Sequence, residues 1–236
     1  MSGRLGTRGI VALDRAGWHD ADRLVSALGD DVEFYKVGLE LFTAEGPAVV
    51  RELIGRGRRI FLDLKLHDIP NTVAGAARAA GRLGVDLLTV HASGGEAMVQ
   101  AAVEAAHEAS GGRTQVLAVT VLTSLDADHL PAHFRRDLAM ADLVHALAAE
   151  AVVAGAGGLV CSGAEVATLR SRLGDAPLLV VPGTRPAGAD AQDQARVVTP
   201  QDALAAGADW LVVGRAVTAA ADPRAAWGAF WAGVAR

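Results

Sequence analysis

Eight short runs rich in branched and long apolar residues recur along the chain, each leading into a segment that suits a helix. The runs are Ile10–Asp14, Glu33–Gly38, Arg59–Lys65, Leu87–His91, Gln115–Val121, Gly158–Ser162, Leu178–Pro182 and Trp210–Gly214. Between them, apolar residues spaced three and four apart predict helices over Asp20–Leu28, Ala44–Gly57, Asn71–Gly84, Gly95–Ala109 and Asp137–Gly155. Gly57 and Gly84 stand as stop signals near helix ends, and Thr199-Pro200 and Asp222-Pro223 read as N-caps followed by Pro in the first turn. Strands that are apolar on both faces need helices on both sides of the sheet, which specifies parallel pairing. Eight strand–helix units close a barrel, so the chain is predicted to be a single (β/α)8 TIM barrel spanning residues 1–236. Its length matches the ~250 residues such a barrel typically takes. An open doubly wound sheet fits less well, because no Gly-x-Gly-x-x-Gly follows the first strand.

Composition narrows the partners. The net charge of −5 argues against a sequence-independent nucleic-acid binder, which needs a basic face. A single cysteine, Cys161, rules out an internal disulfide and sits in an apolar run, where it reads as a packing residue. No stretch reaches the ~18 apolar residues of a membrane span, and Met1–Gly9 lacks the apolar core of a signal peptide. The expectation is a soluble cytoplasmic protein with a small-molecule substrate and no nucleic-acid or membrane partner.

In such a barrel, polar residues at the carboxyl ends of strands face the active site, whereas deeper inward residues fill the core. Asp14 ends the first strand and Lys36 lies near the end of the second. The third ends Asp63-Leu64-Lys65, followed by Leu66-His67-Asp68. Two-residue alternation puts Asp63 and Lys65 on one face, pointing into the mouth beside Lys36. An isolated Asp-x-Lys pair is as often an ordinary salt bridge; the convergence of Asp14, Lys36 and Asp68 favours chemistry. A second constellation follows the last two strands, where barrels often bind phosphate: Gly214 permits close backbone approach, and Arg215 and Arg185 offer guanidinium forks. Thr123 and Ser124, after the fifth strand, suit hydrogen bonding to a flat polar ring. The stretch Pro186–Val197, rich in Gly, Ala and Asp, is a candidate loop over the site. His67, His91, Asp63 and Asp68 are metal-ligand types without metal-ligand spacing, so no metal is expected.

These residues carry a resemblance. Asp63-Leu64-Lys65-Leu66-His67-Asp68-Ile69-Pro70-Asn71-Thr72 resembles the signature segment of bacterial orotidine 5'-monophosphate decarboxylases. So do Ala12-Leu13-Asp14, Phe34-Tyr35-Lys36-Val37-Gly38, Val121-Leu122-Thr123-Ser124, Pro182-Gly183-Thr184-Arg185-Pro186, Asp193-Gln194-Ala195-Arg196 and Val213-Gly214-Arg215. The stretch Asp126–Arg136 is the least similar. The resemblance implies conversion of orotidine 5'-monophosphate to UMP and CO2, the last step of de novo pyrimidine nucleotide synthesis, without cofactor or metal. It implies a charged array Lys36–Asp63–Lys65–Asp68 with Lys65 as proton donor to C6, in a homodimer whose Asp68 and Thr72 reach into the neighbouring site. By the same resemblance, Asp14 and Lys36 hold ribose hydroxyls and Thr123 and Ser124 meet the pyrimidine. Arg185, Gln194, Gly214 and Arg215 bind phosphate, with Gln194 also near the ring. Two alternatives compete. Magnesium-dependent sugar-phosphate decarboxylases and aldolases share the Asp-x-Lys-x-x-Asp strand, but carry an acidic residue in place of Lys36 and lack the Ile69–Thr72 continuation. A non-catalytic nucleotide-sensing barrel is the other.

Overall fold

Strand β1 (Gly9–Ala12) pairs in parallel with both β2 (Phe34–Gly38) and β8 (Trp210–Val213), so the sheet closes on itself. The intervening strands are β3 (Arg59–Leu66), β4 (Leu87–His91), β5 (Gln115–Val119), β6 (Gly158–Val160) and β7 (Leu178–Pro182), in sequence order around the barrel. A computed structural model describes residues 8–131, 134, 138–185 and 198–234. The helices among them are α1 (Trp18–Leu28), α2 (Leu39–Glu45), α3 (Pro47–Gly55), α4 (Pro70–Leu83), α5 (Glu96–Ser110), α6 (Met140–Val153), α7 (Val166–Leu173), α8 (Pro200–Ala205), α9 (Arg215–Thr218) and α10 (Pro223–Trp231).

Alternation along the strands divides the apolar residues into two cores. Ile10, Ala12, Phe34, Phe61, Leu117, Val160, Val180 and Val212 point inward and pack across the barrel axis. Val11, Tyr35, Ile60, Leu62, Leu88, Leu159 and Leu211 point outward beneath the helices. At the amino-terminal end the Arg59 guanidinium lies 4.2 Å from the Phe34 ring centroid and 5.1 Å from that of Trp210, and pairs with Asp86 at 3.2 Å. That stack closes the barrel floor with a cation–π contact.

Several element boundaries differ from the pattern expected of the sequence. The run Ala44–Gly57 is two helices, because Gly46 takes a left-handed φ of +63° and Pro47 starts α3 afresh. α4 begins at Pro70 rather than Asn71, with Pro supplying its first turn, and ends at a left-handed Gly84. The two Pro-containing starts behave as read: Thr199 accepts from the Asp202 N–H and Asp222 from that of Ala225. Strands β1, β5, β6 and β8 are each shorter at their carboxyl ends than the apolar pattern suggests, so Asp14, Ser162 and Gly214 lie in loops. The segment 186–197 and the start of the Asp137–Gly155 helix candidate lie outside the described residues.

β3 departs from regular pairing where the chemistry is expected. It advances from Leu62 to Leu66 while β4 advances only from Leu88 to Val90, a bulge in the ladder. Lys65 sits in that bulge with φ +49°, the one non-glycine among the described residues with a positive φ.

Candidate active site

Register places the charged residues on one rim. Lys36 is opposite both Ala12 on β1 and Phe61 on β3, and Gly38 is opposite Asp63. Asp63 therefore stands one inward step above Phe61, beside Lys36. The Lys36 ammonium lies 2.8 Å from Asp14 Oδ1 and 3.6 Å from Asp63 Oδ2. The Lys65 ammonium donates to both oxygens of Asp63, at 2.8 and 2.9 Å. Thr89, fully buried on β4, donates its hydroxyl to Asp63 Oδ1 at 2.9 Å and accepts the Lys65 backbone N–H at 2.9 Å. The result is an alternating row Asp14–Lys36–Asp63–Lys65.

Asp63 is only 8% exposed, and burial is the largest single influence on its carboxyl, pushing the pKa up. The charges of Lys36 and Lys65, with the hydrogen bonds from Lys65 and Thr89, together outweigh burial and hold it below the ordinary carboxylate value. Asp63 is thus an anion whose every oxygen is engaged, and it fixes the cation beside it.

Two adjoining hollows meet at Lys36, Pro182 and Val212. The larger, about 400 Å³, is walled by Asp14, Arg15, Thr184, Arg185, Gly214 and Arg215. The smaller, about 190 Å³, has Asp63, Lys65 and Thr123 at its rim above Phe61, Val119 and Val160. Arg185 is 7% exposed, and its pKa is lowered first by burial and then by the charge of Arg215. Two guanidiniums held together in this way are suited to a multiply charged anion. The site thus offers an end suited to an anion, a charged middle and a small, mostly apolar compartment of ring size.

Lys36, Asp63, Lys65, Asp14, Thr123, Arg185, Gly214 and Arg215 are brought together around these hollows. Ser124 is exposed and lines neither. Asp68 and Thr72 are also exposed: the Asp68 carboxylate accepts the neighbouring Ile69 N–H at 2.7 Å and makes no ion pair among the described residues. Gln194 lies outside the described residues. Two residues beyond those singled out from the sequence belong to the site. Arg15 donates to the carbonyls of Asp14 and Thr218, bracing the first loop against α9. Its only sequence signal was its place next to Asp14. Thr89 looked like an ordinary β-branched strand residue. His67 and His91 flank the site with ring centroids 5.4 Å apart. Among the described residues no group of three metal-ligand side chains converges, and no helix is long and apolar enough to cross a membrane.

Comparison with known proteins agrees with this geometry. Residues 7–230 match the family described as Orotidine 5'-phosphate decarboxylase / HUMPS family. Orotidine 5'-phosphate decarboxylase of Anaeromyxobacter dehalogenans is 56% identical over 224 residues, covering 95% of this chain and 96% of that relative. The enzyme of the same name from Thermobifida fusca is 54% identical over 217 residues, covering 92% and 91%. The crystal structure of orotidine 5'-phosphate decarboxylase from Lactobacillus acidophilus superposes with a TM-score of 0.83 at 43% identity, covering 94% of this chain and 96% of that one. With a closed eight-stranded barrel, a charged row at its mouth and relatives matched along nearly the whole chain, this protein belongs to the orotidine 5'-phosphate decarboxylase / HUMPS family.

Proposed function

We propose that the protein converts orotidine 5'-monophosphate to UMP and CO2, with Lys65 as the proton donor and with neither metal nor organic cofactor. The observation that carries this reading is the Lys65 ammonium, held by both oxygens of buried Asp63 at the rim of the ring-sized compartment. Breaking the C6–carboxylate bond leaves an electron pair in the plane of the pyrimidine, where the ring π-system cannot delocalise it. Stabilisation must then come from fixed charge placed for the transition state. The ammonium faces the developing carbanion and transfers its proton to C6, giving UMP; the lysine amine that remains is recharged from solvent. Asp63 holds Lys65 and lies close to the departing carboxylate.

The remaining groups fit the rest of the substrate. Asp14 and Lys36 are placed for ribose hydroxyls, Thr123 for the pyrimidine edge, and Arg185 with Gly214 and Arg215 for the phosphate. Binding energy gained at the phosphate, remote from C6, contributes to lowering the barrier. Lys36 bridges Asp14 and Asp63 where a magnesium enzyme would need a further acid, which favours this reading over the metal-dependent members of the group.

A homodimer completes the array in this proposal. Asp68 is exposed and makes no ion pair with its own Lys65, and the adjoining Ile69 is 66% exposed. An acidic residue on an apolar rim suits a neighbouring subunit, whose site Asp68 and Thr72 then enter. Ultraviolet monitoring of orotidine 5'-monophosphate, with and without EDTA, tests the reading. Equal turnover in both is expected. No conversion refutes the activity, and loss on chelation restored by magnesium points to the metal-dependent relatives.

A further inference from the structure

We propose that Thr89 is a positioning residue that fixes the Lys65 ammonium by clamping Lys65 at both ends. Its hydroxyl accepts the Lys65 backbone N–H at 2.9 Å and gives its single proton to Asp63 Oδ1 at 2.9 Å. Asp63 in turn receives the Lys65 ammonium at 2.8 and 2.9 Å. The circuit is closed: Lys65 backbone to Thr89, Thr89 to Asp63, Asp63 to the Lys65 side chain.

The bulge in β3 makes this circuit necessary. The Arg59 N–H bonds the Glu33 carbonyl before β2 and the Ile60 N–H bonds Asp86 before β4, so regular alternation would turn the Lys65 N–H toward β2, which ends at Gly38. The slip in register between Leu62 and Leu66 brings it instead to the Thr89 side chain on β4. Thr89 occupies an inward position of β4 between Leu87 and His91, and is 0% exposed. No water competes for its hydroxyl there, and a methyl in its place would leave the Lys65 N–H buried and unbonded. The left-handed backbone of Lys65, φ +49°, persists only where its surroundings determine it, and Thr89 supplies one such constraint. An ammonium that must face a developing carbanion gains from being held in place before the reaction begins.

The inference rests on the decarboxylation reading, and the experiment separates the two. Turnover of orotidine 5'-monophosphate is measured for the native protein, Thr89→Val and Thr89→Ser, with thermal melts of each. Thr89→Val keeps the shape and loses both hydrogen bonds; kcat is expected to fall ~10- to 100-fold with KM within about threefold, the loss of a bond to a charged group. Thr89→Ser retains the hydroxyl and should recover kcat to within a few-fold of the native protein. A valine variant that folds and keeps native kcat overturns the proposal, as does a serine variant as slow as valine, or a rise in KM with kcat preserved. If valine does not fold, Thr89→Cys, with a weaker donor of similar size, takes its place with the same expected pattern. A native protein without turnover refutes the decarboxylation reading and the role of Thr89 with it, whereas native turnover with a fast valine variant refutes the role of Thr89 alone.

Discussion

Lys65 sits in the left-handed region with φ +49°, so its two simplest truncations should differ in stability. A residue bearing a Cβ pays about 1–2 kcal/mol for left-handed backbone, and glycine escapes that strain. Glycine in a strand carries its own entropic cost of about 0.5–1 kcal/mol. The balance favours glycine at this position by roughly 0.5–1 kcal/mol. For a chain of 236 residues, 1 kcal/mol moves the melting midpoint about 2–4 °C. Lys65→Gly should therefore melt about 1–4 °C above Lys65→Ala. Both lose the same ion pair with Asp63, so that loss cancels in the comparison. Neither variant should turn over orotidine 5'-monophosphate, since the charge facing the carbanion and the proton donor are both gone. Calorimetric melts at neutral pH, with the ultraviolet assay on the same samples, give both readouts. Gly melting at or below Ala would refute the claim that strain is held at this residue. More than a few per cent of native activity in either folded variant would refute its role as donor.

Arg215→Ala should weaken binding of the phosphorylated nucleotide by about 1.5–3 kcal/mol, roughly 10- to 150-fold, while hardly altering an unphosphorylated nucleoside. Equal losses in titration of both ligands would make the residue structural. Lys65→Ala mixed with Asp68→Ala, each nearly inactive alone, should regain about a quarter of native activity, because half of the random dimers carry one intact site in two. Demonstrated subunit exchange with no regained activity would return Asp68 to its own chain. Burial first, then the charges of His67 and Lys65, lower the His91 pKa against a smaller opposing effect of Asp63. A folded pKa below the ordinary 6.5 means its stabilisation is complete above that pH and is lost as pH falls through the folded value. Melting temperature should thus decline below about pH 6.5, and His91→Gln should flatten the decline; an unchanged slope would assign it to another group.

The strands were legible because parallel strands covered on both faces are apolar along their whole length, as in Leu178–Pro182. Periodicity was less reliable for helices. It ran through Gly46-Pro47, where turn chemistry breaks the chain, took in only the last two residues of α2, and gave no bounds for the short α7 and α9. At the site, alternation brought Asp63 and Lys65 to one face, yet the structure achieves this through a bulge and a left-handed lysine. No propensity encodes that geometry, because it depends on Thr89 across the ladder. Arg15 was equally invisible, since its partner carbonyl at Thr218 is distant in sequence.

The barrel axis beneath the charged row is hydrocarbon from Phe61, Val119 and Val160 down through Leu117, Val180 and Phe34 to the Arg59 stack. Hydrocarbon of that depth conducts no proton. In the proposed reaction the Lys65 amine, once it has given its proton to C6, regains one only from above, through the opening by which UMP departs. Emptying the site and rearming its acid therefore share one doorway, and a bound product keeps the enzyme not merely occupied but discharged.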